Sequence, residues 1–303
     1  MSNVLLGGAI GDALGVFAES KPADYEPLLV WNGTDFLGSE HHGLLPGQFS
    51  DDTQMSQMVA QSLVDNDGFN PEDLSVRYVD WIVSGRARGY GKTTLAAIGN
   101  LFSGIHWSES GIEGSYGNGT AMRAAPIGIY FRNDLTQLIE VATLDAKITH
   151  NSDEAIAGSI AIAMTAALAC QNDTEDLLTR LCEVLPDTKV KTMIHSLSAL
   201  IDSPHIKAAQ ALRVIGTRAD VRMTVPAALY CFLKFNNYHV AIESAIRGGF
   251  DTDTTAAIVG ALSGAKLGMK AMPTYLVQGV EESQELIVLD SQLYNRSNKS
   301  FFN

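Results

Sequence analysis

The chain has 303 residues and a formal net charge of −13, and 46% of its residues are hydrophobic. This length allows one large domain or two ordinary ones, and the hydrophobic fraction is typical of a globular protein with a substantial core. The negative charge argues against direct binding of a nucleic-acid backbone, which requires a basic surface. It does not exclude an anionic small molecule, because bound cations can reverse the sign of a local field.

The predicted secondary structure is almost entirely helical, and no convincing run of alternating β-branched residues predicts a strand. Ser50 and Asn151 are natural N-caps, and Pro71 suits a first helical turn. The predicted helices are, in chain order, Val4–Ala18, Asp51–Asp65, Pro71–Ser84, Thr94–Phe102, Thr120–Phe131, Leu135–Lys147, Ser152–Gln171, Glu175–Leu185, Val190–Ile201, Ile206–Val214, Val221–Phe235, Tyr238–Ile246, Asp253–Leu267 and Gln278–Leu289.

No linker-like stretch divides these helices. The sequence therefore predicts an all-α fold, a compact single-domain helical bundle over residues 1–294. Residues 295–303 are expected to form a frayed C-terminal tail.

The cysteines and the most apolar segments indicate a soluble, cytoplasmic protein. Cys170, Cys182 and Cys231 are odd in number and lack CxxC spacing, so we expect neither a disulfide framework nor a zinc site. The apolar N-terminal run contains Asp12 and lacks a basic region, unlike a signal peptide. Ala155–Cys170 is uncharged but short and alanine-rich, which favours a buried helix over a membrane span. The sequence gives no indication of the oligomeric state.

Glycines recur at helical spacing in two of the predicted helices. A glycine inside a helix costs about 1 kcal/mol relative to alanine. Unless this is a chance excess, we therefore expect these glycines to permit close helix–helix approach at the centre of the bundle. The glycines are Gly8, Gly11 and Gly15 in the first helix, and Gly260, Gly264 and Gly268 near the end of the chain.

Two acidic clusters, Ser50-Asp51-Asp52-Thr53 and Asp251-Thr252-Asp253-Thr254, lie nearly two-thirds of the chain apart. Each cluster alone could be an ordinary helix start, where acidic residues contribute about 0.3–1 kcal/mol. Their oxygen atoms are also the ligands that Mg²⁺, Mn²⁺ and Ca²⁺ require. Two unit charges about 4 Å apart repel by roughly 4 kcal/mol at an effective dielectric constant near 20. If the fold brings the clusters together, the sequence predicts a two-metal site.

A glycine-rich loop and a histidine are further candidates for a binding site. The loop Gly114–Gly119 precedes a predicted helix, and the N–H groups there could hold a phosphate, although such loops also occur without function. Tyr116 could stack on a base or belong to the core. His150 precedes a helix cap and could equally be a capping residue. His41 and His42 lack ligand spacing and receive no role.

Two long loops contain or adjoin candidate residues. Loops as long as Lys21–Phe49 and Phe102–Gly119 are more often functional than idle in a compact domain. Glu19 lies where the first helix enters the first loop. Arg123 and Arg247 are expected to form structural ion pairs.

Five segments taken in chain order resemble the motifs of one enzyme family. They are Gly7-Gly8-Ala9-Ile10-Gly11-Asp12-Ala13-Leu14-Gly15 with Glu19, Pro46-Gly47-Gln48-Phe49-Ser50-Asp51-Asp52-Thr53-Gln54-Met55, Gly117-Asn118-Gly119-Thr120-Ala121-Met122-Arg123, Thr149-His150, and Asp251-Thr252-Asp253-Thr254. In this order they resemble the ADP-ribosylglycohydrolases, a family that includes the dinitrogenase-reductase-activating glycohydrolases and crystallin J1. The resemblance covers residues 7–268, almost the whole chain.

The resemblance implies an all-α orthogonal bundle with a central dinuclear site for two Mg²⁺ or Mn²⁺ ions. Glu19 matches an acidic loop residue that gates or assists the chemistry in some members. His150 and Tyr116 would lie on the adenosine side of the substrate. The substrate-binding loop, which would hold the diphosphate and neighbouring ribose, would comprise Gly114, Ser115, Tyr116, Gly117, Asn118 and Gly119. By position, the metal ligands would be Ser50, Asp51, Asp52, Asp251, Asp253 and Thr254.

Two positions depart from the family pattern. Ser50 stands where threonine is frequent, which is a mild chemical change. Phe250 stands between the Gly-Gly pair and Asp251, whereas the family usually has Gly-Gly directly before the aspartate. This residue alters the approach to the metals and leaves the ligand set intact.

The implied function is metal-dependent hydrolysis of the C1″ glycosidic bond of ADP-ribose conjugates, either ADP-ribosylated protein side chains or O-acetyl-ADP-ribose. The loop form Gly-Ser-Tyr-Gly-Asn-Gly is similar to the branch acting on serine-linked and O-acetyl-ADP-ribose. Asp52, Asp253 or Glu19 would accept a proton from water as an oxocarbenium-like transition state forms. The alternatives are a dimetal phosphatase or pyrophosphatase, and an ADP-ribose-binding or crystallin-like protein without turnover. The sequence does not reveal the leaving group.

Overall fold

Helices follow one another along almost all of residues 2–297, the part of the chain that the computed structural model describes. Two short 3₁₀ helices lie at Val16–Ala18 and Met269–Ala271. The α-helices are α1 Val4–Gly15, α2 Glu26–Val30, α3 Asp51–Asp65, α4 Pro71–Val83, α5 Lys92–Phe102, α6 Trp107–Ser110, α7 Ala125–Tyr130, α8 Leu135–Thr149, α9 Asp153–Cys170, α10 Leu177–Val184, α11 Lys189–Ile201, α12 Ala208–Ile215, α13 Val221–Lys234, α14 Tyr238–Ile246, α15 Thr252–Leu267, α16 Thr274–Gly279 and α17 Ser283–Arg296.

The centre of the bundle is formed by α1 and α15, whose backbones touch. A Cβ atom on Gly11 would lie 2.1 Å from the carbonyl oxygen of Ala256, and one on Gly7 would lie 2.4 Å from that of Gly260. Partner numbers fall along α15 as they rise along α1, so the helices are antiparallel. Only glycine allows this approach, as the glycine spacing predicted.

The glycines that make the contact differ in part from the predicted set. Gly7, rather than Gly8, lies against Gly260, and a Cβ on Gly8 would make only ordinary contacts at 3.5 Å. Since each residue turns a helix by about 100°, the spacing alone did not fix which of two adjacent glycines faces the partner. Gly268 lies outside the contact and ends α15 with φ +66°.

The N-terminus of α1 is held by a buried carboxylate from the other end of the chain. The amides of Leu5 and Leu6 donate to the two carboxylate oxygens of Asp290, at 3.0 and 3.1 Å. These amides belong to the first turn, which has no partners within its own helix. Asp290 lies on α17, so the last helix fixes the position of the first.

The segment after the glycine-rich loop is not the predicted helix Thr120–Phe131. Residues 119–123 form turns, and α7 begins only at Ala125. Pro126 has no N–H and its ring would clash with the carbonyl four residues earlier, which disfavours a helix that runs from Thr120 through it. In the turns, the Arg123 guanidinium donates to Asp145 Oδ2 at 2.9 Å and to the Gly119 carbonyl at 3.1 Å, entirely buried.

Several short elements were not predicted. Strand β1, Ile112–Glu113, pairs in parallel with strand β2, His150–Asn151, and two residues are too few to show alternation. Helices α2 and α6 lie inside segments predicted as loops. Helix α17 ends at Arg296, so residues 295 and 296 are helical rather than part of a frayed tail, because Tyr294 on its last turn packs against the core. Residues 298–303 lie outside the described residues.

Helix α9 is a core helix, as predicted from Ala155–Cys170. Within the described residues it has the length and hydropathy of a membrane-spanning helix, and 78% of it is buried inside the protein. The predicted all-α fold class is confirmed.

Prediction for the helix contact: Gly11→Ala should lower the free energy of unfolding by at least about 3 kcal/mol, since the added methyl group must separate two touching backbones. Urea denaturation monitored by circular dichroism measures the change. The matched control is Gly99→Ala in α5, where an added Cβ meets nothing within 4 Å, and which should gain up to about 1 kcal/mol. Equal stability of both variants would contradict a backbone contact.

Candidate metal centre and substrate loop

The antiparallel contact between α1 and α15 brings the two acidic clusters together. It places Asp12, near the end of α1, beside the start of α15, where α3 also begins. One carboxylate oxygen each from Asp12, Asp52 and Asp253 lie within 4.8 Å of one another. A second group with the same spacing contains Glu19, Asp251 and again Asp253. The geometry therefore offers two adjacent groups of carboxylates that share one residue.

Asp12 positions the start of α3. Its carboxylate accepts hydrogen bonds from the amides of Ser50 and Thr53 and from the Thr53 hydroxyl, the last at 2.7 Å. The side chain is completely buried. Asp12 therefore both fixes the first acidic cluster and adds a carboxylate to it.

Asp52 and Asp253 each keep one oxygen atom without a partner. Asp52 Oδ2 accepts from the hydroxyls of Ser50 at 3.0 Å and Thr254 at 3.3 Å. Asp52 Oδ1 and Asp253 Oδ1 are buried and have no hydrogen-bond partner among the described residues. A buried carboxylate oxygen without a partner is costly unless a cation or donor compensates it. The donor set therefore fits hard divalent cations such as Mg²⁺ or Mn²⁺.

Asp251 links the centre to the glycine-rich loop. The Asn118 amide donates to Asp251 Oδ2 at 2.5 Å and to the Thr224 hydroxyl at 3.0 Å. Asn118 was predicted to bind substrate directly, and in this structure its side-chain nitrogen holds an aspartate. The predicted ligand Asp51 is buried at the start of α3; neither group includes it, but besides burial the charges of Asp12 and Asp251 contribute to its raised pKa.

Glu19 is held at the edge of the centre by a contact of its own side chain and by hydrogen bonds of the two residues that follow it. Its carboxylate forms a very short contact with His42 Nε2, and this hydrogen bond raises the pKa of His42. The backbone of the neighbouring Ser20 donates to the Phe250 carbonyl at 2.6 Å. The Phe250 amide donates in turn to the Lys21 carbonyl at 2.5 Å. These two hydrogen bonds tie the Glu19 segment to the segment before Asp251.

Phe250 makes this tie in a backbone conformation that residues with side chains seldom adopt. Its φ is +61°, in the left-handed region, and its ring lies 4.4 Å from the Arg218 guanidinium. A non-glycine residue persists there only where its surroundings fix it. Phe250 thus joins the segment that carries Glu19 to the start of the second acidic cluster.

His150 lies beneath the glycine-rich loop. It is 2% exposed, and a Cβ on Gly117 or Gly119 would come within 2.8 or 2.9 Å of its ring. Both residues must therefore be glycine for the loop to rest on the imidazole. Burial, reinforced by the charge of Arg123, lowers the pKa of His150 to about 3, so the ring is neutral. This geometry supports the loop, and direct substrate contact by His150 stays a prediction.

Tyr116 is the exposed part of the loop. Its side chain is 48% exposed, and the Arg222 guanidinium lies 4.0 Å from the ring centre. Ser115 turns inwards, where its carbonyl accepts from the Ser152 hydroxyl at 2.6 Å. The loop thus offers an aromatic surface at its rim, while Gly114 continues the pairing with Asn151.

Comparison with known proteins places the chain in one family. The family model described as ADP-ribosylglycohydrolase matches residues 2–301. The chain belongs to the ADP-ribosylglycohydrolase family. As a member of this family it is a glycosidic-bond hydrolase, so the family and enzyme class expected from the motifs are confirmed.

Individual members resemble the chain over most of its length. ADP-ribosylarginine hydrolase Tri1 of Pseudomonas putida is 31% identical, with 97% of this chain and 77% of that protein covered. Human ADP-ribosylhydrolase ARH3 is 26% identical, covering 98% and 93%. A solved structure described as an ADP-ribosylglycohydrolase-related protein complex superposes with a TM-score of 0.82 at 26% identity, covering 97% and 96%.

Sequence reasoning missed two residues of this ADP-ribosylglycohydrolase centre. Asp12 was named within the first family motif and used to reject a signal peptide, but it was given no role in the centre, although an aspartate inside an otherwise apolar helix was a signal for a buried role. His42 was given no role, and nothing local marks its contact with Glu19, because the two residues are brought together by the loop.

Burial is the main cause of raised pKa values throughout the centre. It raises the pKa of Asp51 to about 8 and that of Asp251 to about 7, with contributions from neighbouring carboxylates. The pKa values of Asp52 and Asp253 are raised well above their ordinary value for the same reasons. Without cations the folded centre therefore retains protons that the unfolded chain releases.

Prediction for pH: the metal-free protein should lose stability as pH rises from about 4 to about 8, since the folded state binds more protons than the unfolded state across that range. Added Mg²⁺ should raise the melting temperature more at about pH 8 than at about pH 5, because the ions bind the ionised carboxylates. Differential scanning fluorimetry with EDTA or Mg²⁺ measures both effects.

The control for this prediction is Asp253→Asn, which removes one buried acid. Metal-free Asp253→Asn should melt above the wild type at about pH 8 and gain less from Mg²⁺. A metal-dependent gain that is the same at both pH values would show that these carboxylates are not the binding groups.

Proposed function

We propose that the protein is a metal-dependent hydrolase that cleaves the C1″ glycosidic bond of ADP-ribose conjugates. The observation that carries the proposal is the pair of buried, unpartnered oxygens of Asp52 and Asp253, beside the loop that contacts the centre through Asn118. The named relatives, an ADP-ribosylarginine hydrolase and an ADP-ribosylhydrolase, support this class of substrate.

Two Mg²⁺ or Mn²⁺ ions would be held by the shared carboxylates. Asp12 and Asp52 would hold one ion and Asp251 the other, with Asp253 common to both groups. Ser50 and Thr254, whose hydroxyls already face Asp52, complete the oxygen set. When bound, the ions supply positive charge that offsets the carboxylates and activates water and ribose hydroxyls.

The chain's own residues supply orientation and charge. The carboxylates favour the positive charge that develops on the anomeric carbon. Glu19, within 4.8 Å of Asp251 and Asp253 at the edge of the centre, is positioned to accept a proton from the attacking water. Asn118 fixes Asp251 by donating an amide hydrogen to Asp251 Oδ2.

The loop Gly114–Gly119 is proposed to hold the ADP-ribose part of the substrate. The Gly114 amide already donates to the Asn151 carbonyl and the Gly117 amide to the Ser115 hydroxyl, so the diphosphate would take over these donors or bind the rest of the loop backbone. Tyr116 offers a ring face for the adenine, backed by the Arg222 guanidinium. The predicted helix dipole does not contribute here, because α7 begins only at Ala125.

Prediction for turnover: Asp253→Asn should lower kcat/KM by at least about a thousandfold, because it removes a carboxylate common to both groups. Peptides ADP-ribosylated on serine or arginine and O-acetyl-ADP-ribose are incubated with Mg²⁺ or Mn²⁺. Mass spectrometry then measures the release of free ADP-ribose.

The matched control is Asp187→Asn, which removes the same charge from a side chain that is 98% exposed. It should retain wild-type turnover. Release of AMP without free ADP-ribose would instead identify a pyrophosphatase, and binding without any product would identify a silent binder. Wild-type turnover by Asp253→Asn would refute the assignment of the centre.

A further inference from the structure

A cavity of about 420 Å³ lies next to Glu19, and we name it the Glu19 cavity. It is lined by side chains between Val16 and Tyr25, which follow α1, and by residues 37–42 of the long loop. Its volume falls within the range of about 300–1,000 Å³ that is usual for small-molecule sites. None of the substrate-loop residues Gly114–Gly119 lines it.

The Glu19 cavity adjoins the metal centre through a shared side chain. Glu19 lines the cavity, and its carboxylate also lies within 4.8 Å of those of Asp251 and Asp253. His42 lines the cavity as well and contacts Glu19 directly. The substrate loop reaches the same centre through Asn118. The centre is therefore bordered by the Glu19 cavity and by the loop Gly114–Gly119, which lines no part of that cavity.

The reaction proposed above needs room beside the centre for both parts of its substrate. A conjugate has an ADP-ribose part and a leaving group, joined at the bond that the centre cleaves. If the loop holds the first part, the second part must extend into a different volume beside the same carboxylates. Among the described residues, the Glu19 cavity has this position.

The lining of the Glu19 cavity suits a polypeptide. The rings of Phe17 and Tyr25 offer apolar faces, and the Lys21 ammonium lies 5.8 Å from the Tyr25 ring centre. Glu40 and His41 are exposed and add hydrogen-bonding groups at the rim. An acetyl group would fill little of this volume and would leave the polar groups of the wall unused.

We propose that the Glu19 cavity binds the side chain and flanking main chain of an ADP-ribosylated polypeptide, and so selects polypeptide conjugates over small acyl esters. This inference rests on the proposed hydrolase function. The cavity determines which leaving group is bound. The carboxylate groups and the loop Gly114–Gly119 bind the ADP-ribose that every substrate shares.

The first test narrows the cavity with Leu37→Trp. Leu37 is 48% exposed at the rim, so a larger side chain is compatible with folding. The readout is the ratio of kcat/KM for an ADP-ribosylated peptide to kcat/KM for O-acetyl-ADP-ribose. We expect the ratio to fall by about tenfold, a change typical of altered fit in a specificity pocket. The matched control is Leu45→Trp in the same loop, 68% exposed and outside the cavity, which should leave the ratio unchanged.

A second variant tests the charge of the rim. Glu40→Lys should lower kcat/KM for a peptide with basic residues beside the modified side chain relative to one with acidic residues, because the reversed charge repels the former. A ratio that Leu37→Trp leaves unchanged, together with no charge effect of Glu40→Lys, would overturn the cavity assignment.

The remaining outcomes separate this inference from the proposed function. A wild-type protein that releases ADP-ribose only from O-acetyl-ADP-ribose would keep the hydrolase function and overturn the cavity proposal. Release from none of the conjugates would overturn the hydrolase function itself, and the cavity proposal with it.

Discussion

The direct backbone contact between α1 and α15 is the constraint on which the centre depends. Glycine at positions 7 and 11 allows carbonyl groups of α15 to approach where a methyl group would otherwise lie. The antiparallel arrangement then sets Asp12 of one helix beside Asp253 of the other. A wider spacing, as between two alanine-faced helices, would separate the carboxylates that are proposed to bind the ions.

Burying these carboxylates together lowers the stability of the fold. Burial and mutual repulsion raise the pKa values of its aspartates, and two of their oxygens remain without partners. Functional sites are commonly arranged in this way, since groups that are poorly satisfied alone bind a ligand strongly. Other buried polar groups nearby do have partners, such as the Arg123 guanidinium, which donates to the Asp145 carboxylate beneath the loop.

Much of this arrangement could be predicted because the signals are local or repeated. Helical periodicity, the glycine spacing and the two acidic helix starts are visible within short windows. The helix from Thr120 was wrong because local apolarity competes there with Pro126 and with a buried ion pair to Asp145, whose position depends on the fold. Asp12 and His42 were missed for a related reason, since their partners at Thr53 and Glu19 are set by tertiary contacts.

The cap that Asp290 gives to α1 has a consequence for folding during synthesis. Helix α1 can complete its N-terminal cap only after α17 has been synthesised, because the Leu5 amide bonds to a carboxylate 285 residues downstream. Its glycine partner on α15 is likewise synthesised long after α1. Domains generally fold as units during synthesis, and here the apolar surface of α1 stays uncovered until α15 and α17 have left the ribosome.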